Sequence, residues 1–222
     1  MALFPYDLNE LLGGRARILV TDDLTEPVPA GIGDILAMVS PYGALTGWTD
    51  IGATGGAAQY GRNLTVGGYN IQQTNGTVLE EPTDLTRSIT FPAAEIRPDI
   101  IQMLEEGAAS STVAAAANKG AQDKQPFGTI IELTSRRIAL VGQRKKAQGI
   151  VTEPGGATRG RLVALVGYHA TISADNAQLS LAEGDMAQVP LSFTLHPEST
   201  ITTDGAEYGA WFFEDAGTIA AS

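Results

Sequence analysis

Residues 162–172 read LVALVGYHATI, and Leu162, Ala164, Val166, Tyr168, Ala170 and Ile172 fall on alternate positions. Successive side chains leave a β-strand on opposite faces, so this spacing predicts one long strand with a single apolar face. Val189, Leu191, Phe193 and Leu195 repeat the pattern, with Gln188, Ser192, Thr194 and His196 directed outward. Leu85, Ile89 and Phe91 share a face with Arg87, opposite Thr86, Ser88 and Thr90. Arg15 to Thr21 (RARILVT), Phe127 to Leu133 and Arg137 to Val141 are also strand-like, and Tyr208 to Phe213 (YGAWFF) reads as an aromatic last strand without a clear polar face. Many strands place the chain in the β-sandwich or barrel class.

Gly43 to Gly68 (GALTGWTDIGATGGAAQYGRNLTVGG) sets a large aromatic, Trp48, between Gly47 and Gly52. It then passes through a Gly/Ala loop into a strand in which Tyr60, Arg62, Leu64 and Val66 alternate with small or polar residues. Gly67-Gly68 reads as a turn, after which Tyr69 to Thr74 and Thr77 to Glu81 continue the strand pattern. The sequence predicts one helix: Pro98 suits a first helical position, Asp99 its first turn, and Ile96, Ile100, Met103 and Leu104 recur at helical spacing before Gly107. Asp7 to Glu10 has capping-box spacing, and Leu8, Leu11 and Leu12 form one amphipathic turn stopped by Gly13-Gly14, an apolar arm. Ile35 to Val39 is a further apolar run. Ser110 to Gln125 is Ala-rich without large anchors and reads as a mobile connection, and Ala147 to Gly160 as a loop or hairpin tip. No domain boundary is evident across residues 1–222.

The 222 residues carry a formal charge of −11 and include no cysteine. Disulfides, thiol catalysis and Cys-ligated zinc are thereby excluded. No apolar run reaches the roughly 18 residues of a membrane-spanning helix. The first residues, MALFPYDLNELLGG, lack the pattern of a signal peptide, so synthesis in a cytoplasm is expected. Sequence-nonspecific nucleic-acid binding wants the opposite charge. Seven of the 14 basic residues nevertheless fall in one region: Arg136, Arg137, Arg144, Lys145, Lys146, Arg159 and Arg161. Such a cluster beside an acidic remainder suits the orientation of one copy toward another.

The chain offers little catalytic chemistry. His169 and His196 are the only histidines, both on polar strand faces and without metal-pair spacing. Gly52 to Gly56 lacks the Lys-Ser/Thr of a phosphate loop, and there is no G-x-S-x-G elbow. The acidic pairs Asp22-Asp23, Glu80-Glu81, Glu105-Glu106 and Glu214-Asp215 read as solvated loop or helix-end residues rather than the opposed carboxylates of a glycosidase. We expect no catalytic residue, no metal and no cofactor. Trp48, Trp211 and the tyrosines suit core or subunit-interface packing, and second a sugar-stacking platform.

Four pieces together resemble the tail-tube (major tail) proteins of long-tailed, noncontractile bacteriophages: LLGGRARILV, GWTDIGATGG, RPDIIQMLEEG and YGAWFFEDAG. The resemblance implies a mainly β fold with one helix, a β-sandwich or barrel with an extended terminal arm and loops. It also implies subunits in rings, typically of six, stacked into a hollow tube. Partners would be other copies of the chain and the tape-measure, tip and terminator proteins of the tail. Double-stranded DNA would be a transient, non-specific passenger, and no membrane would be entered. The protein would be assembled in the host bacterial cytoplasm and reside in the virion. Residues 1–14 would be the arm, and 43–68 and 147–160 the inter-subunit loops. The expected assembly interface comprises Leu8, Leu11, Leu12, Trp48, Tyr60, Arg62, the seven clustered basic residues and Trp211, with the basic cluster facing acids of a neighbour. The runner-up is a carbohydrate-binding β-sandwich using Trp48 and Tyr60.

Overall fold

A computed structural model describes residues 17–39, 47–52, 54–70, 77–94, 97–106, 111–115, 120–124, 126, 132–144, 150–152, 158–173, 188–202, 205–215 and 217–218. The chain is mainly β, with antiparallel sheets and two short helices. Its strands are β1 (Arg17–Thr21), β2 (Thr49–Asp50), β3 (Gln59–Asn70), β4 (Thr77–Ala93), β5 (Ser111–Val113), β6 (Gln122–Lys124), β7 (Arg136–Gln143), β8 (Ile150–Thr152), β9 (Thr158–Gly160), β10 (Leu162–Ile172), β11 (Val189–Leu195), β12 (Gly209–Phe213) and β13 (Gly217–Thr218). The helices are α1 (Ile32–Val39) and α2 (Pro98–Glu105).

The second helix corrects the expectation of one. The apolar run at Ile35 belongs to α1, where Ile32 and Ile35 lie one turn apart and both pack into the core. The Asp34 carboxylate accepts the backbone N–H of Ala30 at 2.8 Å and places negative charge at the start of the helix. In α2, Pro98 and Asp99 occupy the predicted first turn, with Ile100 and Met103 buried. The helix ends on Glu106, in the left-handed region at φ 45°, rather than on the expected Gly107.

The main sheet runs β2-β1-β7-β10-β11-β4-β3, and β12 also pairs with β10. Strands β1, β7 and β10 are buried on both faces. On β1, Ile18 and Val20 enter one core while Leu19 enters the other, and on β7 Ile138 and Ala139 divide in the same way. The first core gathers Ile89 and Phe91 of β4, Leu191 and Phe193 of β11, and Ile100 of α2. Side chains from both ends of the strand order share this core, so the sheet folds over on itself around it. The second core is covered by α1 and Trp48.

Strand β10 departs from its predicted single face. Gly167 pairs with Ile138 but Ala170 with Arg136, three residues against two, which is a β-bulge. Before the bulge, Leu162, Ala164, Val166 and Tyr168 line the second core; beyond it, Ala170 and Ile172 line the first. The sheet forks at the same place. Strand β12 pairs with Val163–Gly167 of β10, and β11 with Ala170–Ile172. Since β7 occupies the other edge, β12 and β11 lie end to end along one edge of β10.

Three further readings change. Gly67 and Gly68 make no turn: they lie inside β3, paired with Glu81 and Glu80 of β4. The Ala-rich stretch carries a hairpin, β5 with β6, aligned by Thr112 Oγ1 donating to the Asp123 carboxylate at 2.9 Å. Leu133 is exposed and lies in no strand; most of Phe127 to Leu133 falls outside the described residues. Residues 147–160 contain the β8–β9 pair, and β13 joins β8 in parallel.

Candidate assembly surface

The basic cluster divides once its positions are seen. Arg136 is 4% exposed, on the first-core face of β7. Its guanidinium forms a pair of hydrogen bonds to Glu106 and a third, at 2.9 Å, to Asp22. This ties the end of α2 to the sheet, while the Glu106 backbone closes the helix in the αL conformation with its N–H bonded to the carbonyls of Gln102 and Met103. Its neighbour Arg137 emerges on the opposite face and donates to the carbonyl of Glu26, holding the segment before α1. Arg159, 3% exposed, donates to Glu214 at 2.5 and 2.7 Å, and Glu214 also accepts the Leu162 N–H at 2.8 Å.

These three arginines therefore do not face the acids of a neighbour, as the sequence led us to expect. Buried charge demands a close partner, and each finds one within the chain. The carboxylates involved, Asp22, Glu106 and Glu214, belong to acidic pairs expected to be merely solvated; Glu106 and Glu214 are structural instead. Arg161 is half-buried, with an Nε that has no hydrogen-bond partner, while Arg144 is exposed. Lys145 and Lys146 lie outside the described residues, as do Leu8, Leu11 and Leu12 with the rest of the arm.

Trp48 is also reassigned. Only 6% exposed, it packs in the second core with Leu19, Ile35 and Val141. Gly47 and Gly52, with φ of 80° and 90°, let the chain bend sharply on either side of it. Asp50 fixes the bend by accepting the Gly52 N–H at 2.9 Å and binding Arg17 of β1 at 2.8 Å. In the isolated chain Trp48 is a core residue.

The exposed aromatics are elsewhere. Trp211 and Phe213 alternate with Ala210 and Phe212 on β12, and Ala210 and Phe212 face the second core. Trp211 is 46% exposed and Phe213 56%. Their rings stack at 6.2 Å, Trp211 meets Tyr60 of β3 edge-on at 5.6 Å, and the Arg144 guanidinium lies 5.4 Å from the Phe213 centroid. The fold-over of the sheet brings β3 against β12, and Tyr60 leads on to Arg62, Leu64 and Val66 along one face of β3, these three all exposed. Arg62 sits directly opposite Arg87, whose guanidinium stacks over Tyr208 at 4.5 Å. Among the described residues, no carboxylate pairs with Arg62 or Arg144.

Of the expected interface residues, the structure thus brings Tyr60, Arg62, Arg144 and Trp211 onto one surface. Sequence reading missed Phe213, Leu64 and Val66 there. The signal was the lack of a polar face in YGAWFF: one side of β12 meets the core and the other remains apolar in the open.

The two histidines are neighbours, which their separation of 27 positions (196 − 169) concealed. Their rings lie 5.4 Å apart across β10 and β11, His169 bonded to Ser135 and His196 to Thr171. Burial, and then the proximity of His169, hold His196 below the usual histidine range. Among the described residues, no group of three or more His, Asp or Glu gathers as a metal site. No protein-family model matches the chain, and no curated protein matches it at a significant level.

Proposed function

We propose that this chain is a structural virion protein, the subunit that polymerises as stacked rings, typically hexameric, into a phage tail tube and forms the channel for DNA delivery. The observation that carries the proposal is the open aromatic cluster of Phe213, Trp211 and Tyr60, which continues along the same face of β3, past Arg62, to the exposed Leu64 and Val66. Contiguous exposed apolar surface marks an interaction site. The resemblance of its four sequence pieces to tail-tube proteins supports the same reading, as does a sheet folded over one core with a long β3–β4 hairpin at its edge.

Charge supports it as well. Arg136 and Arg159 hold carboxylates inside the subunit, and Arg137 is buried against the Glu26 carbonyl, so the three offer phosphate no ready contact. With a net charge of −11, an acidic lumen would repel DNA and let it slide. The test is negative-stain electron microscopy with light scattering at rising protein concentration. Rings or hollow tubes are the expected outcome.

A second reading, a carbohydrate-binding module, is favoured by one observation. Trp211, Tyr60 and Phe213 form an open aromatic platform, which takes over the role first given to Trp48. It expects a monomer at every concentration, with Trp211 fluorescence responding to a glycan.

A further inference from the structure

The β3–β4 hairpin has two chemically opposite faces. Strand pairing places Tyr60 opposite Ile89, Arg62 opposite Arg87 and Leu64 opposite Leu85 on one face. The other face carries Asn63 and Thr65, with Asp84 opposite Thr65 and Glu81 opposite Gly67. A bulge at Thr83 separates these two acids: Val66 pairs with Pro82 and Thr65 with Asp84. Glu81 and Asp84 are exposed, as are Arg62, Leu64 and Val66. One side of a two-stranded ribbon is therefore apolar and cationic, and its reverse side is polar and anionic.

Within the chain these charges have no use for each other, because a sheet separates them. Arg62 has no carboxylate partner among the described residues, and Arg87 opposite it repels it rather than pairing with it. The complement of the Arg62 face is present, however, on the back of an identical hairpin.

We infer that a second copy of this chain occupies the Arg62–Leu64–Val66 face, presenting the Glu81 and Asp84 side of its own β3–β4 hairpin. The proposal rests on the assembly reading above and names the contact. Face packs on back, so the two surfaces of the contact differ. Such a heterologous contact propagates from copy to copy and closes into a ring or continues as a filament, rather than stopping at a two-fold dimer. Leu64 and Val66 supply apolar burial. The pairing of Arg62 with Asp84 supplies register and excludes face-to-face docking, which would oppose arginine to arginine.

The test is sedimentation of the full chain over a concentration series for wild type, Arg62→Glu, Asp84→Arg and the double variant. Both positions are exposed, and Arg62→Glu places an acid opposite Arg87, so the folded subunit is retained; a urea midpoint no lower than that of wild type verifies this. Each single reversal is expected to raise the concentration needed for assembly by about tenfold or more. The double variant restores assembly, because the exchanged charges, acidic at position 62 of one copy and basic at position 84 of the next, again attract across the contact. Assembly of wild type that neither single reversal weakens overturns the contact but leaves the subunit reading standing. Loss in both singles without recovery in the double variant overturns the face-to-back pairing. Wild type that remains monomeric throughout overturns the contact and the assembly reading together.

Discussion

Glu106 holds two positions in one residue: its backbone ends α2 at φ 45°, and its fully enclosed carboxylate holds Arg136. Left-handed conformation is uncommon for a residue with a Cβ, so the ion pair offsets a local cost. Glu106→Gln keeps the shape but leaves the buried guanidinium with only the largely exposed Asp22 as a full charge. The expected loss is about 3 kcal/mol of unfolding free energy, read from the urea transition, because removing one member of a buried pair strands the other. Trp48 makes a second case. Its place in the core with Leu19 and Ile35 predicts that Trp48→Ala lowers the stability of the monomer by about 3–5 kcal/mol. Unchanged monomer stability with lost assembly would return Trp48 to the interface.

At the scale of elements, the fork in the sheet depends on Gly209. It pairs with Gly167 at the start of β12 and has φ 150°. A Cβ there would run into the Val166 carbonyl oxygen and approach Gly167 Cα to 3.1 Å, and both are backbone atoms that cannot rotate away. Gly209→Ala is expected to cost about 1–3 kcal/mol, the range for overpacking, and to loosen β12 first. Hydrogen exchange should accelerate across Gly209–Phe213 while β1 and β7 remain protected, and Trp211 fluorescence should shift to longer wavelength. Equal acceleration across β7 would show that β12 is not a separable element. The β10 bulge is the companion feature. It carries Ala170 and Ile172 to the other face, so one strand serves both cores.

For the molecule as a whole, stability should fall with acid in two stages. His196 is held below 6.5 by burial and by His169, so the unfolded chain takes up a proton first as pH drops below about 6.5. Stability is thus fully present above that pH and is lost as pH falls through the folded value. The groups around the histidine pair are Thr171 on β10, Ser135 before β7, and Glu198, whose carboxyl is lowered chiefly by the Thr200 N–H. Asp99, lowered mainly by its hydrogen bond to Arg97, and Glu198 add a second stage below the ordinary carboxylate range, by the same sign. Urea midpoints should be level above about pH 6.5, the ordinary histidine value, and decline over the next unit or so below it, and His196→Gln should flatten that first stage. A midpoint independent of pH in this window in wild type would contradict it.

Alternation along the chain shows where most strands run, because it is a local property and reports which residues seek a core. Strands β10, β11 and the Leu85–Phe91 part of β4 were legible for this reason, and α2 was legible from Pro98, Asp99 and Ile100. Its acidic balance and lack of cysteine were equally plain. Tertiary structure alone decided which side of each strand meets which core, since a single bulged residue reverses a face without altering composition. It also separated the two tryptophans. Trp48 is enclosed by α1 and β7, whereas Trp211 stands open beside Tyr60, although Trp48 has the more polar neighbours in sequence, Thr49 and Asp50, and Trp211 the apolar ones, Ala210 and Phe212. The basic cluster divided for the same reason: adjacent residues such as Arg136 and Arg137 leave a strand on opposite faces, and distant carboxylates or carbonyls determine where each charge ends. Spacing along the chain records how residues alternate, while burial depends on partners that arrive from far away in sequence.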